Sequence, residues 1–449
     1  MIDSRSLRKS DHLIGGVLCI AYIVILLVTA SDLAMSRDES FYARAAKNIA
    51  AWLSQLITDP SMALDRESID RAWRYNWEHP AWMKLMFALS WMTHDALGIF
   101  GAESTAIRFP GMLTAGLLLW LIYAWGAAVM PRGPALFAAI AFGAMPRLFY
   151  HSHLDCFDVP IAFFSTLVAY LYWRSLSERR WVPLLGLAFG LALATKHNSW
   201  MLPGILVVHF ACIRIDEAKA ERSKRTSASW LLSMFVLGPL LFFATWPWLW
   251  HDTWNRLGAY LSFHLRHLHY TSQYRRVSAV EPPLPVSVPF VMTLFTVTLP
   301  ILALALVGLY ASRRGLAPPW TTRPGASTTR RTEVLWLGCM LAPLLAIALP
   351  SSPIFGGTKH WFPAYPFISL FAGLGLWAVL ENAPAWLRSG RRWASWGFAT
   401  LCLLPGLVQA AHSHPFGLSH YMPIAGGVPG AADLGMNRQF WGFTTGSLV

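Results

Sequence analysis

The chain has 449 residues, of which 55% are hydrophobic and only 13% charged, against about 25% charged in soluble domains. That deficit, with repeated apolar runs of about 20 residues, excludes an ordinary soluble domain and indicates an all-α polytopic membrane protein. The net charge of +13 would suggest nucleic acid in a soluble chain, but here it follows membrane topology and no nucleic-acid partner is expected.

In chain order, the first apolar run spans Leu13 to Ala30 and follows the basic residues Arg5, Arg8 and Lys9. No small-residue cleavage site follows it, so it reads as a retained helix rather than a signal peptide. About eleven spans are expected, at 13–34, 109–130, 134–150, 159–175, 181–195, 199–213, 230–250, 287–311, 334–350, 362–381 and 395–411. The runs are continuous rather than alternating, which argues against an outer-membrane barrel. The 5 cysteines suggest no disulfide framework.

Charge sorts the connections into two sets. One set is mostly short and repeatedly basic: Arg132; Arg174, Arg179 and Arg180; Arg214, Lys219, Arg222, Lys224 and Arg225; Arg313, Arg314, Arg323, Arg330 and Arg331; Arg388, Arg391 and Arg392. This is the positive-inside pattern, with the N-terminus cytoplasmic and the C-terminus extracytoplasmic in an inner (plasma) membrane. The segment 312–333, rich in Pro, Arg, Ser and Thr, reads as a cytoplasmic linker. The opposite set comprises the outer loops 35–108 and 251–286 and a tail, 412–449, and carries most of the acidic residues and histidines. Within the first outer loop, apolar residues at 41, 45, 49, 52, 53 and 56 have helical spacing. A second amphipathic helix is expected from Trp82 to Leu97.

The outer loops carry the candidate chemistry. Asp38 and Glu39 follow the first span. Ser36 with Glu39 makes a capping box, and Asp38 suits the start of a helix. A second role is compatible with the first: Glu39 caps while Asp38 faces a cavity as general base. His151, His153, Asp155 and Asp158 lie at the mouth of the third and fourth spans. Their density permits a divalent metal site at His151, His153 and Asp155, although the spacing matches no zinc signature. The bland alternative is a polar turn with Asp158 at a helix start ahead of Pro160. Arg108, Arg147, Lys196 and Lys359 are cations at outer helix ends. Each alone resembles a snorkelling anchor. Together they oppose the topology rule, and a phosphate at the membrane surface would account for them. The 23 tryptophans fit interfacial belts, as at Trp246, Trp248 and Trp250.

These stretches, in this order, resemble the polytopic GT-C glycosyltransferases, in particular the group of protein O-mannosyltransferases and bacterial aminoarabinose transferases. Asp38-Glu39 resembles that group's first acidic motif. Glu78-His79-Pro80 with Lys84 resembles its His-Pro-Pro…Lys segment, with Ala81 in place of the second proline. Arg108-Phe109-Pro110 is similar to its Arg-x-Pro. His151 to Pro160 is similar to its second acidic loop. Thr195-Lys196 and Lys359-His360-Trp361-Phe362-Pro363 resemble its outer cationic positions. The tail from His414 to Tyr421, with Gly426-Gly427, Gly430-Ala431 and Trp441-Gly442, is similar to the end of the membrane module.

The resemblance implies a GT-C module over 1–411 and an inverting transfer of a sugar from a polyprenyl-phosphate-linked donor. The acceptor would be a protein, lipid or glycan, and membrane lipid is a partner. Asp38 would be the base, held by Glu39. Asp158, ahead of Asp155, would orient the sugar or stabilise positive charge on it. Arg108, Lys196, Lys359 and His360 would bind the donor phosphate, and His79, Lys84, His151 and His153 would contact substrate. No cofactor is required by this reading, and a divalent metal remains the alternative. Many relatives continue further, so a missing acceptor-binding module is expected. The competing function is a transporter of lipid-linked sugar or polysaccharide. No clear internal repeat supports it, and the ionisable residues gather at the outer face rather than mid-membrane.

Overall fold

The computed structural model describes residues 7–221, 226–279, 281–314, 331–354, 356–382 and 392–437. Each expected span contains a helix. In order, the helices are α1 (Lys9–Thr29), α2 (Arg37–Thr58), α3 (Pro60–Ala63), α4 (Arg66–Trp73), α5 (Trp82–Leu97), α6 (Glu103–Val129), α7 (Arg132–Gly143), α8 (Pro146–His151), α9 (Asp158–Ser175) and α10 (Trp181–Leu193). They continue as α11 (Leu202–Lys219), α12 (Ser229–Thr245), α13 (Thr253–Leu265), α14 (Val288–Thr296), α15 (Leu299–Arg314), α16 (Thr332–Ala348), α17 (Tyr365–Glu381), α18 (Arg392–Ser413) and α19 (Gly427–Asp433). A two-stranded antiparallel hairpin, β1 (Ser272–Tyr274) and β2 (Val277–Ala279), is the sheet among the described residues. Among the described residues, five helical segments are long and apolar enough to cross a membrane, and four more apolar helices are shorter. The chain is a multi-pass membrane protein.

Burial separates central from peripheral helices. The most apolar window of α6 is 78% buried, and that of the turn plus α17 is 83% buried, against 28% for α1 and for α18. Helix α1 shows why. Val17, Ile20, Val24 and Val28 form a stripe exposed to the lipid side, while Gly15, Cys19, Tyr22 and Leu26 face inward, the three-to-four-residue period of one helix face. Its main partner is α6. Helices α15 and α17 pack closest through Gly308 and Gly375. A Cβ at either would collide with the other helix's backbone, at Phe371 and Leu304 respectively. Small residues at such crossings let helix backbones approach in a membrane.

The first outer loop folds as expected into helices, α2 and α5 being the principal ones. The buried face of α2 is Tyr42, Ala45, Ala46, Ile49 and Trp52, so it is turned slightly from the predicted face, and Phe41 is exposed. Helix α5 is joined to α6 at a proline. Pro110 has no N–H for the Ala106 carbonyl, and the Ser90 hydroxyl donates to that oxygen instead at 2.6 Å.

Two expectations change. The linker 312–333 is helical at both described edges, because α15 reaches Arg314 and α16 begins at Thr332. Thr332 is buried and accepts from Trp173 Nε1 at 2.8 Å, and Arg331 pairs with Asp216; the core of that linker, 315–330, lies outside the described residues. The tail also packs on the bundle. His420, Tyr421 and Met422 are buried, and the Met422 N–H donates to the Phe295 carbonyl at 2.7 Å. Arg5, Arg222, Lys224, Arg225, Arg323, Arg330, Arg388, Arg391, Trp441 and Gly442 lie outside the described residues.

Candidate active site

The acidic pair at the start of α2 splits as a helix requires, because successive residues point about 100° apart. Glu39 turns inward and is fully buried. Its Oε2 accepts the Ser36 N–H at 2.7 Å, which is the capping arm expected from the sequence. Arg108, in the second turn of α6, donates from Nε to Glu39 Oε1 at 2.7 Å and from Nη2 to Oε2 at 3.1 Å. Its other N–H groups reach the carbonyls of Ala30, Leu33 and Ala34 at 3.3, 3.2 and 3.0 Å. A guanidinium has five N–H donors, and all are engaged. Burial alone would raise the Glu39 pKa, but Arg108 holds it below the ordinary value. Arg108 therefore clamps the end of α1 to the start of α2. It has no donor left for a phosphate, which corrects the role expected from the sequence, and Glu39 is a support rather than a catalytic group.

Asp38 points the other way and is 23% exposed at its side chain. Its Oδ2 lies 3.2 Å from Lys359 Nζ, which comes from the 3-10 turn Gly357–Ala364 preceding α17. Beside it, Asp158 opens α9 and binds Lys196 Nζ through Oδ1 at 2.6 Å. Its Oδ2 is 3.6 Å from His151 Nδ1. The two cationic turns are tied together, since Asn198 Nδ2 donates to the His360 carbonyl at 3.0 Å. Tyr42 sits within the fields of Asp38, Asp155 and Asp158, and Lys359 acts on Asp158 as well as on Asp38. Asp38, Asp158, Lys196 and Lys359 thus form one centre at one end of the bundle.

Asp155 is different. It is fully buried, and its carboxyl interacts with that of Glu39. Burial, then the Glu39 charge, push its pKa well above the ordinary carboxylate value. It lies sealed beside Glu39 rather than in the open centre, so the structure places it in the buried clamp instead of the sugar-orienting role. A glycine makes this possible. Gly111, three residues after Arg108, lies under the Leu154 carbonyl, where a Cβ would collide with that oxygen. The acid-bearing loop consequently rests directly on α6.

The proposed metal group does not converge. His153 Nε2 bonds the Thr29 hydroxyl at 2.8 Å and its Nδ1 bonds the Phe149 carbonyl at 2.8 Å. Burial lowers its pKa to about 3, so it is a neutral strut between α1 and α8 rather than a substrate contact. His151 faces Asp158 and packs edge-on against Phe362. Among the described residues no group of three or more His, Cys, Asp or Glu side chains is placed to hold a metal.

His79 and Lys84 reach the same end of the bundle. His79 packs between Tyr42 and Phe157, with ring centroids 5.4 and 5.0 Å away, and its Nε2 is 3.4 Å from the Tyr42 hydroxyl. Burial, then Lys196 and Lys84, hold it well below its usual pKa, so it is neutral. Lys84 is fully buried, donates to the Asn76 carbonyl at 2.8 Å, and is lowered by burial to about 7. His360 Nε2 accepts the Gly356 N–H at 3.2 Å. Tyr42, Phe157 and Asn198 were not singled out in the sequence, because an aromatic or amide side chain there carries no local mark of a site. The one available signal was that Tyr42 follows Asp38 at four residues, one helical turn on.

A family model described as dolichyl-phosphate-mannose-protein mannosyltransferase matches residues 79–248. Among solved structures, ArnT from Cupriavidus metallidurans bound to undecaprenyl phosphate is similar with a TM-score of 0.57 and 16% identity, over 88% of this chain and 63% of that one. The Archaeoglobus fulgidus oligosaccharyltransferase in its apo form is similar with a TM-score of 0.57 and 11% identity, over 90% of this chain and 55% of that one. The same organism's AglB in complex with an inhibitory peptide and a dolichol-phosphate gives 0.52 and 12%, over 88% and 55%. The chain has the GT-C fold. The matching family and the GT-C fold are both those of glycosyltransferases, in agreement with the resemblance seen in the sequence. The chain spans less than two thirds of the length of these structures. No curated protein matches it by sequence. Asp38 and Lys359 lie outside the stretch matched by the family model, whereas Lys84, Arg108, Asp158 and Lys196 lie within it.

Proposed function

We propose that the protein is an inverting glycosyltransferase that moves a sugar from a polyprenyl-phosphate carrier to an acceptor hydroxyl at the outer face of the membrane. The observation that carries this reading is the partly open Asp38 set against Lys359, with the Asp158–Lys196 pair beside it. The lipid phosphates named with the similar structures support the donor class.

Asp38 accepts the hydroxyl proton as the acceptor oxygen attacks the anomeric carbon. The bond from that carbon to the phosphate oxygen breaks, and its electron pair leaves with the phosphate. Protonation of Asp38 weakens its hold on Lys359 as negative charge grows on the leaving group. Lys359 can then turn to that phosphate, with Lys196 adding its field. Asp158, held by Lys196 and His151, stabilises positive charge on the sugar. Tyr42, His79 and Phe157 supply an aromatic wall for the ring.

Asp38→Asn tests the assignment. Transfer of label from a polyprenyl-phosphate-linked sugar should fall by about 10²–10⁴-fold, the contribution of a general base, while donor affinity stays unchanged. Transfer at the wild-type rate would exclude Asp38 as the base.

A further inference from the structure

Arg147 is the cation of the outer set used neither by the centre described above nor by the Arg108–Glu39 clamp. It lies in α8 and is 1% exposed. Its Nε donates to the His420 carbonyl at 3.0 Å, and the guanidinium stacks over Tyr421 with its carbon 4.6 Å from the ring centroid. Nη1 and Nη2 are buried with no hydrogen-bond partner. A buried guanidinium with both terminal nitrogens unpaired is strongly unfavourable on its own, since arginine does not shed its charge.

The charges nearby do not compensate it. Glu39 pairs with Arg108, Asp158 with Lys196 and Asp38 with Lys359. None of these carboxylates, nor that of Asp155, is hydrogen-bonded to Nη1 or Nη2 of Arg147. Arg147 is also close to the centre: His151 follows it by four residues on α8, one helical turn, and lies against Asp158, and Arg147 acts on His151 electrostatically.

We propose that Arg147 is an oxyanion-binding residue whose free fork of Nη1 and Nη2 takes the phosphate group of the lipid-linked donor. The inference rests on the donor class proposed above and names a residue for it. Two terminal nitrogens in a plane match two oxygens of a phosphate, which a spherical anion does not offer. Arg108, the arginine that sequence reasoning favours for the phosphate, is saturated by its protein partners, and Arg147 is its opposite.

The test measures binding of polyprenyl phosphate, and separately of inorganic phosphate, to the full chain in nanodiscs for wild type, Arg147→Met and Arg147→Lys. Lysine keeps the charge and can still donate to the His420 carbonyl, but it has no fork. Both variants should bind polyprenyl phosphate at least tenfold more weakly. Ligand-free Arg147→Met should unfold at or above the wild-type temperature, because an uncompensated charge has been removed. Equal affinity in wild type and both variants overturns the proposal. So does a ligand-free Arg147→Met that unfolds at much lower temperature yet binds normally, which would make Arg147 structural. If the variants lose only the response to inorganic phosphate, the site takes free phosphate and the donor assignment falls. A wild-type protein with no affinity for polyprenyl phosphate overturns the donor reading itself, and this inference with it.

Discussion

At the scale of single residues, the end of the bundle that holds the candidate site is governed by which charge finds a partner. Asp38 and Glu39 are neighbours in sequence with opposite fates: one is partly open against Lys359, and the other is sealed against Arg108. Lys84 shows the cost of sealing without a carboxylate contact. Its amine has burial as the dominant influence and the Glu78 charge as a weaker opposing one, which leaves it near 7 instead of 10.5. The unfolded lysine therefore binds more protons than the folded one between about pH 7 and 10.5, and stability must rise with pH across that window. Lys84→Met should flatten this rise while leaving the acid limb unchanged. Unfolding of detergent-solubilised protein at a series of pH values measures it, and an unaltered slope would show that Lys84 is not the titrating group. The acid limb comes instead from carboxylates held below their ordinary value, Glu39 and Asp158 among them. Each contributes stability that is present above the ordinary carboxyl value and lost as pH falls through the folded one.

At the scale of elements, the acid-bearing loop 152–157 is held by what α6 lacks. Gly111 leaves room for the Leu154 carbonyl, and Arg108 on the same helix holds Glu39 and, through it, Asp155. A valine at 111 must push the loop away, at a cost of about 1–3 kcal/mol typical of overpacking. Gly111→Val should lower transfer at least tenfold by displacing Asp158 and should lower the unfolding temperature. Gly16→Val, at a position on α1 with open space around its Cβ site, should do neither. Equal transfer rates for the two variants would show that the loop tolerates the shift. The rough place of each span and the amphipathic stretches were legible in the sequence, because each follows from local spacing of apolar residues; the breaks that divide 134–150 into α7 and α8 and 287–311 into α14 and α15 were not. The lipid-facing stripe of α1 is an example. The close approach at Gly111 was not legible, because its partner lies in another element.

At the scale of the whole molecule, the charge pattern predicts that the α2–α5 end is extracytoplasmic. Met62 at that end and Arg179 at the other are both exposed. With a membrane-impermeant thiol reagent on intact cells, Met62→Cys should be labelled and Arg179→Cys should not; the reverse would invert the topology and move the centre to the inner face. Local composition alone establishes that the chain is membrane-embedded and helical, roughly where each span lies, and which stretches carry the acids and cations. Those properties are sums over neighbouring residues: apolar length sets spanning, and local charge sets the orientation expected. Only the tertiary structure decided what each charged group does. Arg108 and Glu39 are 69 residues apart in the chain, and Lys359 and Asp38 are 321 apart. Pairing across such separations depends on how α6, α9 and α17 pack. Nothing local to Arg108 or Arg147 distinguishes a guanidinium whose donors are all engaged from one whose terminal nitrogens are buried without a partner.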